Sequence, residues 1–173
     1  MSLLLKVDPS PVNAKARLLV TCALLVAAPP VASFASTKDA LIWTGRSSGG
    51  LTALAYGPLD PAASPLFLLS CFSGMGIVVL DVHKEVTGVA PGQPLTIELS
   101  SAKAQAPVEG EVARDEANGA TFGEASDIDV KPVLEVLRDP GPLMLKMGET
   151  SATLSDQGRA EAVSQFSQDC KIE

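Results

Sequence analysis

The sequence predicts an α+β domain: a mostly antiparallel β-sandwich or small barrel-like sheet, with two helices in the C-terminal half. Three observations carry this expectation. Short apolar or alternating runs, each too short for a helix, recur from Leu41 to Leu154 between glycine and proline breaks. The two central runs, Leu66–Phe72 and Ile77–Val82, flank Ser73-Gly74-Met75-Gly76, whose glycines can supply the positive φ of a tight reversal. Only two late segments, Val130–Arg138 and one ending near Cys170, repeat apolar residues at helical spacing.

The front of the 173-residue chain is read separately. Lys6, Lys15 and Arg17 precede the apolar run Leu18–Ala28, then Pro29-Pro30 and the small residues Ser33 and Ala35. A basic segment, a short apolar core and small residues before a cut describe a secretory signal, residues 1–35, cleaved after Ala35. The run is well short of the roughly 20 apolar residues a membrane span needs, so no span is expected after cleavage. Leu19-Val20-Thr21-Cys22 loosely matches a lipid-attachment motif, but Thr21 stands where a small Gly or Ala is required. What remains is a single exported domain, residues 36–173, periplasmic or secreted.

Of 13 bases and 20 acids, Lys6, Lys15, Arg17 and Asp8 leave with the signal, taking the net charge from −7 to about −9. That balance disfavours nucleic acid and anionic membrane surfaces, because phosphate binding depends on Lys and Arg. Three cysteines become two once Cys22 is lost, and an oxidising compartment favours pairing them. Cys71 sits near the end of the first central run, and Cys170 lies on the inward stripe Ala160, Val163, Phe166, Cys170 of the last helix. A Cys71–Cys170 disulfide is therefore expected, tying that helix to the central hairpin.

Taken in order, Leu41-Ile42-Trp43 is a first strand, Arg46–Gly50 a turn, and Leu51–Tyr56 a second strand ended by Gly57-Pro58. The central runs are apolar on both faces and read as strands covered on both sides. Leu95–Leu99 alternates cleanly, as a strand with one wet face does. Ser101–Pro107 reads as an edge strand guarded by Lys103 and Pro107, a place where a partner could add a strand. Short strands are expected around Val112 and Phe122. Asp129 caps Val130–Arg138, whose Val130, Val133, Leu134 and Leu137 share one face; Pro132 fits its first turn, and Asp139-Pro140-Gly141-Pro142 stops it. Leu143–Met147 and Thr150–Leu154 form a second hairpin around Gly148-Glu149, and Ser155 or Asp156 caps the final helix.

Candidate chemistry is thin. Gly45-Arg46-Ser47-Ser48-Gly49 satisfies a nucleophile-elbow spacing, and Asp60 or Asp81 and then His83 follow in serine, acid, histidine order. Such a serine needs a strand-to-helix turn, yet Gly50–Ala55 reads as strand, and the chain is too short for the parallel sheet that presents an elbow. His83 is the only histidine, which excludes multi-histidine metal sites. The acidic band Glu109, Glu111, Asp115, Glu116, Glu124, Asp127 and Asp129 lacks the ligand order of a calcium loop, since Ala117 and Gly119 occupy its third and fifth places. Trp43, Phe67, Phe72, Phe122 and Phe166 read as core. With no phosphate loop, dinucleotide fingerprint or C-x-x-C, neither cofactor nor resident metal is expected, and no catalytic residue is assigned.

Trp43 early in the mature chain, Cys71 after an apolar strand, the run VKPVLEVLRDPGPLMLKMG and the closing GRAEAVSQFSQDC together resemble small exported bacterial proteins of the invasion-associated locus B family. The resemblance implies a periplasmic, β-rich, non-enzymatic module that binds or supports an envelope component. Two alternatives stand beside it. One is an inhibitor of a cationic hydrolase such as lysozyme, suggested by the acidity, though the signature loop of periplasmic lysozyme inhibitors is missing. The other is a small serine hydrolase using Ser47 and His83.

Overall fold

Residues 40–60 and 62–172 are described by the structure, a computed structural model, and the leader and its cleavage site lie outside them. Eleven elements follow in chain order: β1 Leu41–Ser48, β2 Leu51–Pro58, β3 Phe67–Phe72, β4 Ile77–Val82, β5 Pro94–Ser100, β6 Gln105–Arg114, β7 Thr121–Ser126, α1 Val130–Arg138, β8 Leu143–Met147, β9 Thr150–Leu154 and α2 Arg159–Asp169. The strands make one nine-stranded sheet in the order β1-β2-β3-β4-β7-β6-β5-β8-β9. Every ladder is antiparallel. Both helices come late, so the expected α+β class holds, with a single antiparallel sheet whose end strands are β1 and β9.

Closure is made by side chains and by one backbone bond. The N–H of Trp43 on β1 donates to the carbonyl of Gln157, just beyond β9, at 3.0 Å. Its Nε1 donates to the Ser155 carbonyl at 2.6 Å, and the Ser155 N–H donates to the Tyr56 hydroxyl at 3.2 Å. Gly158 follows at φ 80°, and a Cβ there would stand 2.9 Å from the Trp43 carbonyl. Only glycine meets both demands at once. The other flank of β9 is held by Thr150, whose hydroxyl donates to the Glu85 carbonyl at 2.9 Å. β1 is thus tied to the chain just beyond β9, and β9 to the loop after β4.

Alternation decides what fills the interior. Trp43 on β1, Leu54 and Tyr56 on β2, Phe67, Leu69 and Cys71 on β3, and Val78, Leu80 and Val82 on β4 all point inward and are buried. The far half of the sheet adds Leu95, Ile97 and Leu99 of β5 and Leu143, Leu145 and Met147 of β8. α1 packs on β5, β6 and α2, burying Val130, Val133, Leu134, Val136 and Leu137, and its Asp129 side chain accepts from the Lys131 N–H as an N-cap should. α2 lies over β1 and β2 on the inner side, and Phe166 is fully buried there. Cys170, its C-cap, meets Cys71 in a disulfide with Cα atoms 6.0 Å apart.

Several expectations are corrected. Ser101–Pro107 is no edge strand: Ser101 Oγ accepts from the N–H groups of Lys103 and Ala104, making a turn, and Gln105 opens β6, which lies between β5 and β7. Of the two glycines in the β3–β4 reversal, only Gly76 takes a positive φ. α2 starts at Arg159 rather than beside Ser155 or Asp156, because those residues serve elsewhere. Ser155 holds Trp43 and Tyr56, and the Asp156 carboxylate accepts from the Gly141 N–H at 3.2 Å. Its inward stripe consequently carries Arg159, Ala162, Val163 and Phe166, with Ala160 exposed. The buried Arg159 guanidinium donates to the carbonyls of Asp139 and Gly141, so the loop leaving α1 is clasped by the start of α2.

Candidate functional site

The serine constellation does not assemble. Ser47 lies on a strand of an antiparallel hairpin whose turn is Gly49-Gly50, at φ 59° and 86°, and its Oγ is 3.1 Å from Thr52 Oγ1. No helix follows it. β1 and β4 are three ladder spacings apart, about 14 Å, and the alternation puts Ser47 on the inner face while Asp81 and His83 take the outer one. Asp60 caps its own loop by accepting from the Ala62 N–H at 3.0 Å. The acidic band is divided: Asp115 holds the β6–β7 turn and Asp129 caps α1, while Glu111 and Glu124 are register partners on adjacent strands, in one row with Asp81. Among the described residues no group of His, Cys, Asp and Glu is arranged to hold a metal ion.

What the fold does assemble is a surface that the sequence reading treated as interior. The outward residues of β1 to β4 and β7 form rows across the sheet. One row is Thr44, Ala55, Leu68, Asp81 and Glu124; the next is Arg46, Ala53, Ser70, Val79 and Ser126; a third is Ser48, Leu51, Phe72 and Ile77. Both helices and all of the buried core lie on the opposite side. Leu68, Phe72, Ile77 and Val79 are therefore only half-buried by their neighbours on the sheet, and Leu51 is 40% exposed. This corrects the expectation that β3 and β4 are covered on both faces, and with it the assignment of Phe72 and Phe122 to the core. Phe122 stands on the same outer face, its ring 4.9 Å from that of His83.

Relief and charge on this face are uneven. Ala53, Ala55 and Gly57 of β2 floor a trough of about 210 Å³, walled by Leu68 and by Pro58, Asp60, Ala63 and Pro65 of the loop that follows. Leu68, Phe72, Ile77 and Val79 stand beside it as a ridge. Arg46 marks the β1 side, and Asp81 with Glu124 marks the β4 and β7 side, so the apolar centre lies between opposite charges. Among the described residues neither Arg46 nor Asp81 makes an ion pair; the pair there is Lys146 with Glu98, on β8 and β5.

Asp81 has a carboxyl pKa raised above its ordinary 3.8, first by burial and then by Glu124, with His83 pulling the other way. The folded protein therefore holds this proton more tightly than the unfolded chain does. Its ionisation costs stability, and the cost fades as pH falls through the folded pKa toward 3.8. Asp81→Asn is expected to raise the urea midpoint at neutral pH and to remove that acid-side gain. Superimposable stability–pH curves for the two proteins would refute the assignment.

One sequence signal could have revealed this surface. Two amphipathic helices have stripe enough for one face of a sheet, whereas β3 and β4 are apolar on two. No family model, no curated protein and no solved structure matches the chain.

Proposed function

We propose that the protein is a non-enzymatic module exported to the periplasm, similar to the invasion-associated locus B proteins, which binds or supports an envelope component and makes a protein contact through the outer face of β1–β4. The observation that carries the reading is the half-buried apolar surface of Leu68, Phe72, Ile77 and Val79, which nothing among the described residues covers. Apolar side chains left partly in water cost free energy, and where they are contiguous on a protein surface they favour contact with another surface. A basic and an acidic flank add the means to orient whatever docks. The leader-like residues 1–35 and the pairing of Cys71 with Cys170 support an address outside the cytoplasm.

The test is site-directed photocrosslinking in the native cell. A crosslinker at Val79 is expected to give a discrete protein adduct in the periplasmic fraction, and one at Glu135, exposed on α1, is not. No adduct from Val79, the same adducts from both positions, or a protein retained in the cytosol would overturn the proposal.

A further inference from the structure

The outer face is complementary to itself. A two-fold axis along the strands, midway between β2 and β3, brings β1 of one copy over β4 of the other and β2 over β3. Leu68 of each copy then comes over Ala55 of its mate, and Phe72 over Leu51, an apolar side chain that is 40% exposed, in the register already present within the sheet. Thr44 comes over Asp81 and Arg46 over Val79, so that the Arg46 stem lies on Val79 while its guanidinium reaches toward Asp81, one outward position and roughly 7 Å along the strand. The operation makes that contact twice. Leu68 meets the small Ala55, Phe72 meets Leu51 and a cation meets an anion, each contact made twice, the reciprocal pattern an isologous interface requires.

We infer that the occupant of this face is a second copy of the same chain, joined sheet to sheet as a two-fold dimer whose rims are closed by Arg46 of each copy with Asp81 of the other. The inference rests on the reading of this face as a contact surface and specifies what fills it. Aligned packing of two sheets about 10 Å apart is a common solution for β-layers with apolar faces. Four strands by about six residues give a plan area of roughly 400 Å². That is below the usual 800 Å² per partner, so the dimer is weak and its population follows concentration. The net negative charge of the chain works against association, which leaves the two Arg46–Asp81 contacts as the elements that select this geometry over other apolar encounters.

The reciprocity supplies the test. Sedimentation of the purified exported protein over a concentration series reaching about 0.5 mM is expected to show a reversible monomer–dimer equilibrium. Arg46→Glu alone and Asp81→Arg alone are each expected to weaken it about tenfold, since either change places two like-charge contacts at the rim. An equimolar mixture of the two variants should recover the wild-type dimer, because each then offers the charge the other lacks. Circular dichroism on each variant separates loss of association from loss of fold. A monomer at every concentration, or a mixture no tighter than its components, would overturn the dimer. If in that case Val79 still crosslinks to a different protein in cells, the contact surface stands and only its occupant was misassigned; if it crosslinks to nothing, the surface fails with it.

Discussion

Reduction of the Cys71–Cys170 bond is expected to lower the unfolding free energy by about 2–5 kcal/mol. The two residues are separated by 99 positions, and closing a loop of that length removes roughly 4.7 kcal/mol of chain entropy from the unfolded state in the simplest treatment. The loop encloses β4 through β9, α1 and all of α2, so most of the domain folds inside the cross-link. Cys71 is 1% exposed on β3, and Cys170 closes the helix that carries Phe166 into the core. Urea denaturation with and without reductant measures the effect, and Cys71→Ala with Cys170→Ala reproduces it without introducing a buried hydroxyl. The two single variants and the double variant should lose similar amounts, because any one of them removes the same bond. Thiol alkylation of the exported protein should label neither cysteine before reduction. Equal midpoints in both redox states, or two reactive thiols at the outset, would remove the cross-link from this account.

A second large loss is expected at Trp43. Trp43→Ala should cost about 3–5 kcal/mol, the usual range for deleting a buried aromatic. Its ring is 3% exposed and packs on Tyr56 and Phe67, with centroids 5.1 and 5.2 Å away. The same residue closes the sheet, since its backbone reaches Gln157 and its Nε1 reaches Ser155. Trp43→Phe keeps the backbone bond and most of the packing, and is expected to lose about 1–3 kcal/mol through the orphaned Ser155 carbonyl and the smaller ring. As the protein's sole tryptophan, Trp43 also reports its own burial, through a fluorescence maximum that moves to longer wavelength on unfolding. An alanine variant as stable as the phenylalanine one would mean that the two ends of the sheet are held together elsewhere.

Local chemistry made much of this architecture readable. α1, β8 and β9 have the bounds that alternation, the Asp129 cap and the Asp139–Pro142 stop imply. Such signals act within a few residues, and at these elements no distant contact overrules them. β6 differs from the two short strands its sequence suggests because Ser101 satisfies the backbone of its own turn, a local option that competes with an extended strand. The start of α2 differs for the opposite reason. Ser155 and Asp156 look like helix caps, but Trp43, Tyr56 and Gly141 claim their polar atoms from across the fold. The nucleophile-like spacing around Ser47 fails at the same level, because proximity along the chain in serine, acid, histidine order says nothing about sides of a sheet.

By itself the sequence determined which segments are strands and which are helices, where most of them turn, and that Cys71 and Cys170 face the interior. A period of two assigns side chains to two sides and stops there. Only the tertiary structure decided that both helices pack on one side, leaving Leu68, Phe72, Ile77 and Val79 outward between Arg46 and Asp81. Apolar spacing records that a side chain can be buried; what lies over it is set by elements far away in the chain, and for this face by whatever comes to meet it.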